Sequence, residues 1–486
     1  MIQAEKIYDE TFSARNFNTS PLTVSGLKGD TYDYELWIIL SNITTANGAI
    51  NIFPNSDTTS NYRMYQMDGT VSGTGASTSD SSANVTFESM RTSGETLLKC
   101  NITGSSGDER YMNIFYGAGA NRVMKVSSYW KNTADELTSL QIKSSAGATV
   151  TDAHTIIYRT PKVASQSRWE LMKELSWTNQ SSLTLFSGLD GDADKKYRLD
   201  IDFTDQGGFD PELRFNSDST VANYKTQNLF NDAGTLYSQT ITVHAGISFT
   251  NGNNPTDSSV SFLINAESGV KRLVTSNLGN KGTGAEVFSS SGWWSNTADS
   301  ISSIQLAELN TSVSHGGTAK LYRLKNTRTT GDTLPFQTVE SVSISGDFSA
   351  GHTFSGLSGD DYKLIKIEFL GDGDPEFRMQ VNSDTGSNYT RQYLRGASST
   401  ASASTSTQTS FLLADPAVSK QTSQVLYIYP KSGDNRPMIG TWNANESDMQ
   451  IHAGWWLNSV DPIDTIKVYA TNTGTMTGTL KLSILR

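Results

Sequence analysis

The chain holds one cysteine, Cys100, among its 486 residues, so no disulfide can form within it and the fold must rest on packing rather than covalent staples. That usage fits folding in a reducing cytosol. Positive charge is also in deficit: 38 Lys and Arg face 49 Asp and Glu, a net charge of −11 with a pI near 5.0. With no Lys/Arg run there is no cationic stripe for a phosphate backbone, and nucleic acid is excluded as a partner. No stretch approaches the ~18 apolar residues of a membrane helix, so no membrane partner is expected either. The opening Met1-Ile2-Gln3-Ala4-Glu5-Lys6 lacks a basic segment followed by an apolar one, which predicts no cleavable leader. Asn42-Ile43-Thr44 and Asn101-Ile102-Thr103 are then expected to stay unglycosylated. Catalytic signatures are missing as well. His154, His244, His315, His352 and His452 are scattered outside any metal or triad motif, no Gly-rich phosphate loop precedes a helix, and no carboxylate pair sits in a distinctive context. No enzyme and no cofactor are expected.

What the chain does have is glycine (40 residues), a surplus of Ser, Thr and Asn, and a period. Ser25-Gly26-Leu27-Lys28-Gly29-Asp30 returns as Ser187-Gly188-Leu189-Asp190-Gly191-Asp192 and as Ser355-Gly356-Leu357-Ser358-Gly359-Asp360, at spacings of 162 and 168 residues. A second string travels with it. Asn55-Ser56-Asp57 with Asn61-Tyr62 and Gln66 matches Asn216-Ser217-Asp218 with Asn223-Tyr224 and Gln227, and Asn382-Ser383-Asp384 with Asn388-Tyr389 and Gln392. The third marker is Tyr129-Trp130, Trp293-Trp294 and Trp455-Trp456, followed in the first two copies by Asn-Thr-Ala-Asp (Asn132 to Asp135, Asn296 to Asp299). Three markers in one order, three times, divide the chain into residues 1–161, 162–327 and 328–486. Each unit is large enough to bury its own core.

Short runs such as Tyr32 to Ile38 and Tyr197 to Phe203 alternate apolar with polar residues between Gly, Asn, Asp and Ser turns, the pattern of strands. Arg168 to Trp177 competes as a helix, but Trp169, Leu171, Leu175 and Trp177 share one parity, which favours a strand. The reading is all-β: three tandem antiparallel β-sandwich domains, jelly-roll-like because the Cys…Trp…Cys spacing of immunoglobulin domains is absent. After the Asn-Tyr marker, the polar inserts Asp68 to Asn84 and Gly396 to Ser410 read as exposed loops, with a more compact Asn231-Asp232-Ala233-Gly234 in the second copy.

The structural markers are Asn55, Asp57, Tyr62 and Trp130; Asn216, Asp218, Tyr224 and Trp294; and Asn382, Asp384, Tyr389 and Trp456. Asn-Ser-Asp is turn chemistry, its side chains accepting from nearby backbone N–H groups. Its rival is a calcium loop. Asp190-Gly191-Asp192-Ala193-Asp194 and Asp372-Gly373-Asp374 resemble fragments of one, but Lys195 stands where Gly is needed and no Glu follows at the twelfth position, and copy one offers only Asp30 and Asp33. The identity of any metal is left open. Strand alternation sends the two rings of each aromatic pair to opposite faces, so they cannot form one platform. One member fills the core and the other turns outward.

The run Trp293 to Ile304 with the closing Leu321-Tyr322-Arg323-Leu324 resembles repeated β-domains in structural proteins of tailed bacteriophages and related viruses, where such modules serve as head decoration, head-fibre or tail-associated proteins. The resemblance spans all three copies. Copy one replaces the leading Trp with Tyr129, and copy three has Leu457-Asn458-Ser459-Val460-Asp461 in place of Asn-Thr-Ala-Asp. It implies a non-enzymatic virion protein, made in the host cytoplasm, whose partners are the major capsid protein or other virion proteins, with self-association and surface glycans as further candidates. A capsid decoration or head-fibre role is the main expectation, and a tail-associated receptor- or glycan-binding protein is the alternative. Three repeats can form a pseudo-trimer about a threefold position or stack as a spike.

Overall fold

The computed structural model describes residues 5–43, 48–70, 73–90, 96–107, 109–118, 122–144, 149–162, 169–204, 211–232, 235–249, 257–269, 272–280, 286–308, 315–324, 336–373, 376–397, 400–414, 420–433, 435–444, 448–471 and 475–486. Among these, nearly all regular structure is strand. The acidic loop of repeat 2 makes one helical turn, Gly191–Asp194.

Repeat 1 contains β1 (Glu5–Asn16), β2 (Leu22–Ser25), β3 (Tyr32–Ile43), β4 (Gly48–Pro54), β5 (Tyr62–Thr70), β6 (Gly73–Ser82), β7 (Val85–Met90), β8 (Thr96–Thr103), β9 (Arg110–Ala118), β10 (Arg122–Trp130), β11 (Ser139–Ser144) and β12 (Thr149–Pro161). Two antiparallel sheets result, ordered β1-β12-β3-β8-β9-β10-β5-β6 and β2-β11-β4-β7. The chain changes sheet at β1–β2, β2–β3, β3–β4, β4–β5, β6–β7, β7–β8, β10–β11 and β11–β12, and β1-β12-β3-β8 facing β2-β11-β4-β7 is jelly-roll wiring. The hairpins β5–β6 and β9–β10 are additions that widen one sheet to eight strands. Between the sheets lie Leu36, Ile38 and Leu40 of β3 against Ile50 and Ile52 of β4 and Leu140 and Ile142 of β11, with Trp130 and Cys100 in the same core.

The same strand orders recur between Trp169 and Leu324 and between Gln337 and Leu485, so the chain folds as three tandem β-sandwiches. Repeat 2 centres on Leu199, Ile201, Phe215 and Trp294, and repeat 3 on Ile367, Phe369, Met379 and Trp456. The Trp169–Gln180 segment is a strand, as its parity predicts, and lies at the edge of its sheet with register shifts at Leu171/Lys173 and Trp177/Gln180.

The polar inserts are not loops. Gly73–Ser82 and Thr400–Gln408 are edge strands, as is Thr235–Ile241 in repeat 2. Their low apolar content misleads because each is paired along one side and touches the other two edge strands where the three eight-stranded sheets meet. Backbone pairing and mutual contact replace the burial that a sequence reading looks for. The three sheets meet around a pseudo-threefold axis, and Tyr65, Met67, Val123, Leu229, Leu394, Met449 and Ile451 form a single apolar cluster drawn from all three repeats. The pairings Tyr62↔Trp130, Tyr224↔Trp294 and Tyr389↔Trp456 set the repeats in register and make Met67, Leu229 and Leu394 equivalent.

Two residues further along, equivalent positions carry Gly69, Asn231 and Gly396. A Cβ on Gly69 would lie 3.0 Å from Tyr393 O and from Ala403 Cβ of repeat 3, and one on Gly396 would lie 2.9 Å from Ser238 Oγ of repeat 2. The third copy instead uses Asn231, whose amide donates to Gln66 O (3.0 Å) and Ser77 O (3.1 Å) of repeat 1. Backbones approach this closely only with no side chain, or with one that bonds the neighbour's carbonyls.

Candidate functional site

The recurring residues gather at one end of each sandwich, where the β2–β3, β4–β5, β8–β9 and β10–β11 connections meet. Asn55, Asn216 and Asn382 adopt φ of 51°, 53° and 51°, a left-handed conformation that Asn tolerates better than most residues. Each spends its amide on the connection after the Trp. Asn55 Oδ1 accepts from Thr138 N (2.8 Å) and Ser139 N (3.0 Å), and its Nδ2 donates to Glu136 O (2.7 Å). Asn216 makes the same contacts with Ser302, Ser303 and Ser300, and Asn382 with Asp464, Thr465 and Pro462.

The Asp of each triplet accepts the indole N–H of the buried Trp: Asp57 from Trp130 at 2.8 Å, Asp218 from Trp294 at 2.7 Å and Asp384 from Trp456 at 2.7 Å. Amide donors from Asn61, Asn223 and Asn388 complete the cage. Burial opposes ionisation of Asp57, yet hydrogen bonds from Thr59, Trp130 and Asn61 outweigh it and hold its carboxyl at about 2. Asp218 and Asp384 are lowered by the same balance. The Tyr hydroxyls join in: Tyr62 donates to Asp57 O (2.9 Å), while Tyr224 and Tyr389 accept Phe215 N (3.0 Å) and Val381 N (2.7 Å).

A fourth marker is legible only with the structure in hand. Arg110, Arg272 and Arg436 are buried with the guanidinium 5.1 Å from the centroid of the Trp130, Trp294 or Trp456 ring. They donate to carbonyls of the loop after the Trp: Arg110 to Asn132 and Asp135, Arg272 to Asn296, and Arg436 to Asp461. The signal was present as Ser-Gly-x-x-Arg in all three copies (Ser106 to Arg110, Ser268 to Arg272, Ser432 to Arg436). The Ser of that string donates its N–H to Asp30, Asp192 or Asp360 at 2.6 Å, which binds the Ser-Gly-Leu string into the same knot. All twelve marker residues are thus engaged within their own repeat.

The acidic segment of repeat 2 is likewise engaged internally, while Asp374 of the repeat 3 fragment lies outside the described residues. Asp190 caps its helical turn through Ala193 N (3.0 Å), Asp192 holds Ser268, and Asp194 accepts from Tyr197 (2.8 Å). Among the described residues no group of three or more His, Cys, Asp or Glu is placed to hold a metal ion. The histidines stay apart too: His154 meets Asp9 (2.6 Å), His315 accepts the Trp177 indole (3.0 Å), and burial holds His452 neutral.

The second ring of each aromatic pair does leave its own core, but it does not reach solvent. Tyr129, Trp293 and Trp455 are 0%, 2% and 4% exposed, because the face they turn to is the one the repeats bury against one another. The outward-turned ring expected from strand alternation is therefore covered by the assembly. Register also corrects one match: Tyr65, not Gln66, is the copy-one equivalent of Gln227 and Gln392, and Gln66 falls on the opposite face of β5.

What differs between the repeats lies on those facing sheets. Pairing places Trp37, Asp200 and Glu368 at one equivalent position, opposite Ile156, Lys320 and Lys481 respectively, and Asp33, Lys196 and Leu364 at another. Where repeat 1 meets repeat 3, Trp37, Ile39, Ile156 and Tyr158 pack on Leu364, Tyr429, Ile439 and Leu485 in one buried cluster. Where repeat 2 meets repeat 1, Arg198, paired to Asp200 at 2.7 Å, lies in the field of Asp33. Where repeat 3 meets repeat 2 there is a cavity of about 410 Å³, lined by Glu368, Val425 and Lys481 of repeat 3 and Lys196, Asn265 and Thr275 of repeat 2, with Lys99 and Phe115 of repeat 1 also on its wall.

No family model and no curated protein matches the chain. Among solved structures, the LG1–3 region of the laminin alpha2 chain aligns over 99% of this chain and 96% of its own at 9% identity, with a TM-score of 0.16. An alginate lyase aligns over 34% of this chain and 85% of its own at 15% identity, with a TM-score of 0.17. Similarity this low carries nothing about function, and the fold is read from the sheet topology alone. No helix among the described residues is long and apolar enough to cross a membrane.

Proposed function

We propose that the chain is a non-enzymatic virion structural protein, a capsid decoration or head-fibre protein that binds the capsid surface and stabilises it. The observation that carries this reading is the single apolar cluster of Met67, Leu229, Leu394 and their neighbours, which closes three jelly rolls around one pseudo-threefold axis. A chain built this way is a trimer made covalent. It presents three related surfaces at fixed angles, the geometry that a threefold or local threefold position of a shell accepts. Binding to the assembled shell and not to dispersed subunits stabilises the shell by mass action.

The internal use of every recurring marker supports the same reading, since those residues serve the scaffold and leave recognition to positions that differ between repeats. Repeat 3 has such positions. Its marker loop keeps the internal bonds of the others, Asn458 donating to Asp461 at 2.8 Å, yet exposes Leu457 (39%) and Val460 (80%) where repeats 1 and 2 carry Lys131 and Ala134 or Ser295 and Ala298. These two side chains add, on repeat 3, an apolar contact that the related surfaces of repeats 1 and 2 lack.

The test is co-sedimentation of the purified chain with capsids that lack it, followed by thermal challenge. Bound chain and a raised capsid melting temperature are expected, with Val460→Lys weakening binding. Absence of binding to capsids, with binding to tails or to cell-surface glycans instead, would replace this reading with the tail-associated alternative.

A further inference from the structure

The cavity between repeats 2 and 3 has a cause in the sequence, found by reading equivalent positions. At the repeat 1–repeat 3 contact the edge of repeat 3 supplies Leu364, Tyr429 and Ile439, all buried. Pairing makes Lys196, Asn265 and Thr275 their equivalents on the edge of repeat 2. An amide replaces a phenol ring, and a hydroxyl and a methyl replace a sec-butyl group. The facing sheet of repeat 3 compounds the loss, with Glu368 standing where repeat 1 has Trp37. Two sheets held apart by the common framework then leave a void where the other contact is filled.

The void is open and chemically mixed. Phe115, Leu263, Leu273, Val425, Tyr427 and Ile439 give it apolar walls, and Leu263 at 43% exposure is one of the few large apolar side chains open to solvent. At 410 Å³ it falls within the range of about 300–1,000 Å³ that small-molecule sites occupy. Charge is uneven around it. Lys99, Lys196 and Lys481 line it with Glu368, and the adjoining Glu35 and Lys366, 3.1 Å from Lys99 and 2.8 Å from Glu368, bring the count among these described residues to four cations and two anions. A strongly acidic protein has placed a cationic excess beside an apolar hollow.

We propose that this cavity is a binding site for an amphipathic anion, a molecule with an aromatic or aliphatic body and one carboxylate or sulfonate head. The body lies against Phe115, Tyr427, Leu273 and Val425, while the head stays among Lys196 and Lys481 at the rim. Apolar burial supplies most of the affinity, and the lysines select the sign of the head group. The site does not depend on whether the chain sits on a head or a tail.

Titrating 1-anilinonaphthalene-8-sulfonate into the folded full-length chain tests it. Fluorescence should rise to saturation at one probe per chain, decanoate should displace the probe, and n-decanol, with the same body and no charge, should compete at least tenfold more weakly. Lys196→Glu should weaken the probe at least tenfold while the chain remains folded by circular dichroism. Asn265→Tyr with Thr275→Ile, which transplants the filled contact, should abolish the fluorescence and keep or raise the melting temperature. Should the double variant not fold, the Lys196→Glu result decides. Fluorescence that fails to saturate, or that is the same in wild type and Lys196→Glu, overturns the proposal.

Discussion

The contact between repeats 1 and 3 and the contact between repeats 3 and 2 are built on the same strands in the same register, and they differ in nearly every side chain. The first is a packed apolar seam around Trp37 and Leu364, and the second is a partly open cleft between Glu368 and Lys196. The third contact, Arg198 with Asp33, is ionic. Shared backbone wiring can bring any repeat against any other, so it is these unlike side chains that decide the order. Leu364 beside Arg198 and Asp200 would bury no apolar partner, and Asp33 beside Trp37 would lose the field of Arg198. Unlike contacts of this kind favour one cyclic arrangement within the chain and disfavour exchange of repeats between chains.

The largest effect expected on this comparison is at the packed seam. Trp37→Ala should cost about 3–5 kcal/mol and split the unfolding transition, since it removes a fully buried ring from a contact that no other interface duplicates. Calorimetry checks both. Glu368→Ala, at the equivalent position of the open cleft, should cost well under half as much, and equal losses would refute the distinction between the two contacts.

The next effect has the opposite sign. Lys125 is fully buried where repeat 2 approaches, its Nζ 3.5 Å from Phe288 O, and burial alone pushes its ammonium down to about 7. A lysine near 10.4 when unfolded binds a proton on unfolding between pH 7 and 10, so the folded state should gain stability as pH rises through that window. Lys125→Met should raise stability at pH 7 by about 1–4 kcal/mol and flatten that slope. Melting temperatures taken from pH 6.5 to 10 would show it.

Within single repeats the marker knot predicts a smaller loss. Asp57→Ala strands the Trp130 indole N–H and should cost about 1–3 kcal/mol. Because the folded Asp57 carboxyl is depressed to about 2, its contribution is present above pH 4 and lost as pH falls from 4 toward 2, so the variant should show a shallower acid limb in urea titrations. The smallest change belongs to the ionic contact. Burial holds the Asp33 carboxyl above the usual carboxylate range despite Lys162 and Arg198, so Asp33→Asn should change stability by less than about 1 kcal/mol, as a neutral effect or a small gain, in thermal melts.

The three-copy architecture, the strand class and the marker residues were legible in the sequence because a repeated string reports the fold's internal needs three times over. The buried arginines recur in Ser-Gly-x-x-Arg, but a string of Ser, Gly and Arg has the composition of an exposed turn, so their burial against the Trp ring was not legible. The inserts Asp68 to Asn84 and Gly396 to Ser410 misled because the apolar content that reveals a strand is absent where an edge strand gains its stability from pairing. The inter-repeat seam had left a trace. Leu36, Trp37, Ile38, Ile39 and Leu40 are apolar without a break and all at or below 1% exposure, the mark of a strand covered on both faces, whereas Leu199-Asp200-Ile201-Asp202-Phe203 alternates. Reading both as one-sided strands hid the difference that now separates the packed contact from the charged one.

The most direct test of the central claim is imaging of virions assembled with and without this chain. The account predicts one three-lobed density per chain, seated at a threefold or local threefold position of the head and lost when the chain is omitted. Heads whose surface density is the same with and without the chain would contradict it.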